Sequence, residues 1–134
     1  MTPRLFGVQA ARCAPYAAAF RAGVEHLVAS EIAPTVAEGI ATPKPTRVVD
    51  VLRAVRDTGG SIVAVEEAEI VQALRDLARR GLYVEPTSAV AAAGLSRLLI
   101  AGVIRPQEET VLVLTGSGLK ASATIGELLK LGAR

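Results

Sequence analysis

Apolar positions along this chain follow two alternating periods, and the switch between them predicts its elements. Leu5 to Ala10 (LFGVQA), Ser61 to Val65 (SIVAV) and Thr110 to Leu114 (TVLVL) are short apolar runs of strand length. The last has no polar interruption after its threonine, which predicts a strand buried on both faces. "LYV" in "LYVEPTSA" predicts a further short strand. Between these runs the apolar spacing becomes helical. Pro15 opens "PYAAAFRAGVEHL" with proline in the first turn. Val48, Val51, Leu52 and Val55 predict a second helix, ended by Gly59 and Gly60. Ile70, Val71, Leu74, Leu77 and Ala78 form one face of a third, which begins at Glu66 and Glu67 and is capped by Gly81 after Arg79 and Arg80. Pro86 starts a fourth, and a short terminal helix follows "TGSG". "SEIAPTVAEGIATPKPT", with three prolines and a glycine, predicts a loop over a surface or site.

Strands alternating with helices predict an α/β fold of three layers, a mostly parallel sheet with flanking helices. The length of 134 residues predicts one domain over the whole chain, 1–134, large enough for a real core. Composition sharpens this picture: the apolar fraction is 51% but the aromatic fraction only 3%, so small and β-branched residues must do the packing. The net charge is +2, with 15 basic residues spread among 13 acidic ones. With no basic stripe and few aromatic rings for stacking, nucleic-acid binding is not expected. The single cysteine excludes an internal disulfide and fits a reducing compartment. "MTPRLFGVQAARC" lacks the layout of a signal peptide. "TSAVAAAGLSRLLIAGVIRP" is weakly hydrophobic and carries Arg97 at its centre, a costly residue in lipid, so a packed helix is expected there. A soluble, cytoplasmic protein that does not enter a membrane is the expectation.

Ligands of open α/β sheets sit beyond the carboxyl ends of the strands. Three polar clusters fall there: "TGSG" after TVLVL, "EPTS" after LYV, and Glu66-Glu67 after SIVAV. Glycines let a backbone approach a ligand closely. "TGSG" with Lys120 nevertheless lacks the spacing of a dinucleotide or P-loop fingerprint, and spacing alone favours a plain strand-to-helix turn. His26, on the predicted first helix, has no second histidine or cysteine at ligand spacing. Cys13 has no histidine placed to activate it. Glu66 and Glu67 suit a helix start through the dipole. Thr87 and Ser88 suit capping, although the same N–H groups could receive an anion.

In order and together, "AEGIATPKP", "VLRAVRDTGGSIVAVEEAEI", "YVEPTSAVAAAGL" and "ETVLVLTGSGLK" resemble the C-terminal part of the threonine synthases. These are pyridoxal-phosphate (PLP) enzymes of the second structural type. The resemblance runs from about Leu5 to Lys120, and "VEPTSA" and "LTGSGLK" are its most specific parts. Threonine dehydratases and cysteine synthases share the fold. It implies part of the large domain of a tryptophan-synthase-β-like PLP fold.

The resemblance also implies roles for particular residues. In the family a Ser or Thr hydroxyl after the last core strand hydrogen-bonds the pyridine nitrogen of PLP, and Thr115 is the match. Gly116 and Gly118 would keep that loop close to the ring. Ala37 to Ile40, with Gly39 among them, would line the cofactor's face, and Glu85 to Ser88 would stand near its ring-nitrogen side. No catalytic residue and no metal ligand is assigned. Lys44, Lys120 and Lys130 do not stand in the family's Schiff-base context, and the family's phosphate-cupping glycine loop precedes the strand matching LFGVQA. The chain is therefore expected to be the C-terminal portion of a lyase converting O-phospho-L-homoserine and water to L-threonine and phosphate, and to be inactive alone. The alternatives are a stand-alone module binding a small molecule or a protein, or half of a split enzyme. A homo-oligomer or an N-terminal complementing chain is the expected partner, because a partial sheet leaves an open strand edge.

Overall fold

The computed structural model describes residues 2–130. Strand β1 (Phe6–Ala10) runs parallel to β2 (Ser61–Val65), with Phe6 opposite Ser61 and Ala10 opposite Val65. Helices α1 (Pro15–Arg21) and α2 (Val48–Asp57) lie between them in sequence. Helices α3 (Glu67–Arg79), α4 (Pro86–Ile100) and α5 (Ser122–Leu129) follow. Single 3-10 turns stand at Glu38–Ile40 and Gly118–Ala121.

Side-chain alternation in the strands separates two cores. Val8, Ala10 and Val65 face a cluster with Ile70, Leu74 and Leu77 of α3, Ala89, Val90 and Ala93 of α4, and Ile125 of α5. Ile62 and Ala64 face the other way, onto Ala17 and Ala19 of α1 and Leu52 and Val55 of α2. The sheet thus has helices on both faces, the three-layer α/β arrangement expected from the sequence. Small residues make this packing close. A Cβ at Gly94 of α4 would overlap the Val8 side chain, so the helix rests almost backbone-to-strand on β1. Arg97, the residue that argued against a membrane span, binds α4 to its neighbours. Its Nε and Nη2 donate to Glu69 at 3.1 and 2.6 Å, and its Nη1 donates to the Ala64 carbonyl at 2.6 Å. Among the described residues no helix is long and apolar enough to cross a membrane.

Three local expectations are corrected. Thr110 to Leu114 is not a strand, and residues 109–116 have no regular structure. Val111 and Val113 are 83% and 67% exposed, while Leu112 and Leu114 are half-buried, Leu114 against the core. An apolar run becomes a buried strand only if ladder partners exist on its flanks, and the sheet described here has two strands. "LYV" reduces to a single antiparallel bridge, Val84 with Ser117. The first helix stops at Arg21, before Gly23 at φ +72°, so His26 lies on an exposed loop instead of a helix. The third helix does start at the acidic pair: Glu66 is its N-cap, and a reciprocal capping box joins it to Glu69.

The approach to β1 is fastened to the exit of α4. Arg4 donates to the Val103 carbonyl at 3.1 Å and to Glu108 at 2.7 Å, and Glu108 also accepts the Arg105 N–H at 2.6 Å. The Arg105 N–H first, and then the charge of Arg4, hold the Glu108 carboxyl below its usual range. A carboxyl depressed in the folded state stabilises above its unfolded pKa and loses that contribution as pH falls through the folded pKa. The Arg105 amide should therefore exchange more slowly than in Glu108→Gln at neutral pH, with the difference vanishing in acid. Equal exchange at neutral pH would count against this clasp. Gly94→Ala should destabilise by about 1–3 kcal/mol, measured as a lower denaturant midpoint, because β-branched Val8 cannot yield freely. Adding Val8→Ala should recover part of the loss.

Candidate functional site at the start of helix α4

The first turn of α4 gathers two loops that are distant in sequence. Proline at its first position presets the helical φ, and Glu85 before it is extended. From one side the 3-10 turn Glu38–Ile40 docks through Gly39, whose N–H donates to Thr87 Oγ1 at 3.2 Å. From the other side the TGSG segment docks in three places. The Gly116 N–H donates to Ser88 Oγ at 2.7 Å, the Glu85 N–H donates to the Gly116 carbonyl at 3.1 Å, and the Gly118 N–H donates to the Tyr83 carbonyl at 3.0 Å.

Six of the residues singled out from the sequence therefore meet here: Gly39, Glu85, Ser88, Thr115, Gly116 and Gly118. Their roles in the structure differ. Ser88 is 2% exposed and sits under the loop, with Oγ 3.3 Å from Thr115 Oγ1. Thr115 is exposed, and Ser88 is the hydrogen-bond partner of its hydroxyl among the described residues. Gly116 and Gly118 are buried, and their missing side chains make room for protein. A Cβ at Gly116 would overlap the Glu85 carboxylate, and one at Gly118 would lie 2.9 Å from the Tyr83 ring. Ala37, the seventh, is fully buried in the core cluster that includes Ile70, and its N–H donates to Thr35 Oγ1 at 3.2 Å.

A cleft of about 430 Å³ opens beside this cluster, lined in part by Arg12, Glu38, Gly39, Glu67, Glu85 and Lys120. It lies past the carboxyl ends of β1 and β2, where an open α/β sheet receives ligands. Several contributors were not singled out from the sequence as ligand contacts. Arg12 follows β1 and donates to the Pro34 carbonyl at 3.0 Å. Glu67 holds the loop ahead of Ala37: it accepts the Thr35 hydroxyl at 2.6 Å and the Val36 N–H at 2.8 Å. The acidic pair after β2 was the visible signal for Glu67, whereas nothing in the spacing marks Thr35. Lys120 stands on the rim through the turn that follows TGSG. Two cations thus face three carboxylates, one of them already engaged by the loop, so the cleft can take a polar ligand bearing groups of both signs. A second cleft of about 420 Å³, more apolar, shares Gly39 with the first and is lined by Ile40, Gln9, Tyr16 and Val55 among others.

Comparison with known proteins identifies the family to which the chain belongs. The family model described as "Pyridoxal-phosphate dependent enzyme" matches residues 1–116, which takes in Thr115 and Gly116. Threonine synthase of Methanosarcina acetivorans is 37% identical over 124 residues, 92% of this chain and 31% of its own length. Threonine synthase of Methanocaldococcus jannaschii is 38% identical over 119 residues, 88% of this chain and 29% of its own. Among solved structures, a threonine deaminase from T.th. superposes with a TM-score of 0.57 at 27% identity, over 76% of this chain and 35% of that one. The chain thus spans about a third of the length of these relatives. The expected fold and resemblance both stand, and the chain belongs to the pyridoxal-phosphate dependent enzyme family.

Proposed function

We propose that this chain forms the C-terminal, ring-nitrogen side of a PLP lyase of the threonine synthase kind, acting on O-phospho-L-homoserine and water to give L-threonine and phosphate. The observation that carries the reading is Thr115: the hydroxyl of an exposed residue on a loop pinned to α4, in a segment that aligns with threonine synthases. The donor set fits the cofactor's edge. A neutral hydroxyl can donate to an unprotonated pyridine nitrogen and leaves it unprotonated, whereas a carboxylate there would hold it as pyridinium. When bound, PLP supplies the electron sink that labilises bonds at the substrate carbons next to the amino group.

The chain's own residues orient and do not react. Thr115 fixes the ring edge, Glu85 and the two glycines hold the loop against α4, and Glu67 holds the loop carrying Gly39. None of its lysines stands in the family's Schiff-base context, so the anchoring lysine and the phosphate contacts come from other polypeptide, in the same chain or a separate one. The exposed Val111 and Val113 support such a complement, since an extended segment with an apolar outer face is suited to being covered.

With PLP and borohydride, the 134-residue chain alone should give no stoichiometric pyridoxyl-lysine and should release no phosphate from O-phosphohomoserine. Joined to the N-terminal two-thirds of a threonine synthase it should release phosphate, and Thr115→Ala should lower kcat by about tenfold or more, the scale of one lost hydrogen bond to a reacting group. An adduct at a single lysine with turnover by the chain alone would refute the division of labour. A folded, PLP-loaded chimera inert toward O-phosphohomoserine would refute the substrate.

A further inference from the structure

We infer that Ser88 is a positioning residue that sets the direction of the Thr115 hydroxyl, through the one-way chain Gly116 N–H to Ser88 O–H to Thr115 O–H. The inference deepens the proposed cofactor contact and rests on it only at the outer end.

Its direction rests on which acceptor is less occupied, since either hydroxyl of the Ser88–Thr115 pair has a proton to give. A backbone N–H can only donate, so at 2.7 Å the Gly116 amide makes Ser88 Oγ an acceptor. Ser88 then has one proton and two oxygens within reach: Thr115 Oγ1 at 3.3 Å and the Gly116 carbonyl at 3.4 Å. That carbonyl already accepts the Glu85 N–H at 3.1 Å, whereas the Thr115 oxygen has Ser88 as its partner among the described residues. The better outlet for the proton is Thr115. An O–H whose oxygen already accepts a hydrogen bond is polarised into a stronger donor, which reinforces the same direction. Once Thr115 accepts from Ser88, its own proton is left for the solvent-facing side. There it is ready to donate to a neutral acceptor such as a pyridine nitrogen, and poorly matched to a cationic N–H.

Burial makes the arrangement durable. Ser88 is 2% exposed on the first turn of a 15-residue helix, so water does not compete for its hydroxyl, and the rotor is held from below by the Gly116 amide. A serine serving only as a loop anchor would hold Gly116 and leave the Thr115 rotamer to the backbone. The two roles are separable by experiment.

In the ligand-free full chain, NMR should show a slowly exchanging Ser88 hydroxyl proton close to the Thr115 side chain, and Hα–Hβ coupling for Thr115 that corresponds to one rotamer. Ser88→Ala should speed exchange of the Gly116 amide by about tenfold or more and move the Thr115 coupling to the rotamer average. Ser88→Cys, which keeps the volume but bonds weakly, should do the same if the alanine variant packs poorly. Faster Gly116 exchange with an unchanged Thr115 rotamer would make Ser88 an anchor only and overturn the inference. The outer end is read from the ring-nitrogen shift of 15N-labelled PLP bound to the assembled enzyme. Ser88→Ala should move it part of the way, and Thr115→Ala the whole way, to that of a ring without the bond. A shift indifferent to Thr115→Ala would overturn the cofactor contact and leave the link between the two hydroxyls standing on the ligand-free result.

Discussion

The close approach of α4 to β1 is the constraint on which this molecule depends. Without a side chain at Gly94 the helix lies against Val8, and Arg97 one turn later locks it to Glu69 and the Ala64 carbonyl. That contact decides where the first turn of α4 ends up: just past the carboxyl ends of both strands. Glu85, Thr87 and Ser88 then act as a fixed dock for two loops with little regular structure of their own. The site's precision is thus that of a helix seated on a sheet, passed outward through a few backbone hydrogen bonds.

Much of this was legible in the chain. The helices ended at glycines or began at prolines where the sequence placed them, because such signals are local and need no tertiary partner. Ser61 to Val65 formed a strand because β1 lay beside it. Thr110 to Leu114 had an equally persuasive pattern and stayed outside the sheet, since a ladder needs a neighbour that a pattern cannot supply. The predicted first helix ran past Gly23 for a similar reason: apolar spacing continued, but the backbone turned to positive φ.

At the site, residue identity was more legible than residue role. "TGSG" and "EPTS" converge as their order suggested, yet two glycines that looked like room for a ligand are occupied by Glu85 and the Tyr83 ring. Ser88 suited a helix cap from the sequence and is buried beneath the loop, where it holds Gly116. Contacts of that kind join segments about thirty residues apart and leave no trace in local spacing. Thr35 and Glu67, which hold the loop carrying Gly39, are of the same type.

The extended segment before the site has a geometric consequence. Val111, Val113 and Thr115 are exposed, while Leu112 and Leu114 between them are half-buried, Leu114 against the core. Any layer laid over the two valines is therefore laid alongside the threonine hydroxyl as well, and it lowers the dielectric around it. Closing the sheet and strengthening the hydroxyl's outward hydrogen bond become one physical event, so an incomplete assembly would carry a weakened site without any change in the residues that form it.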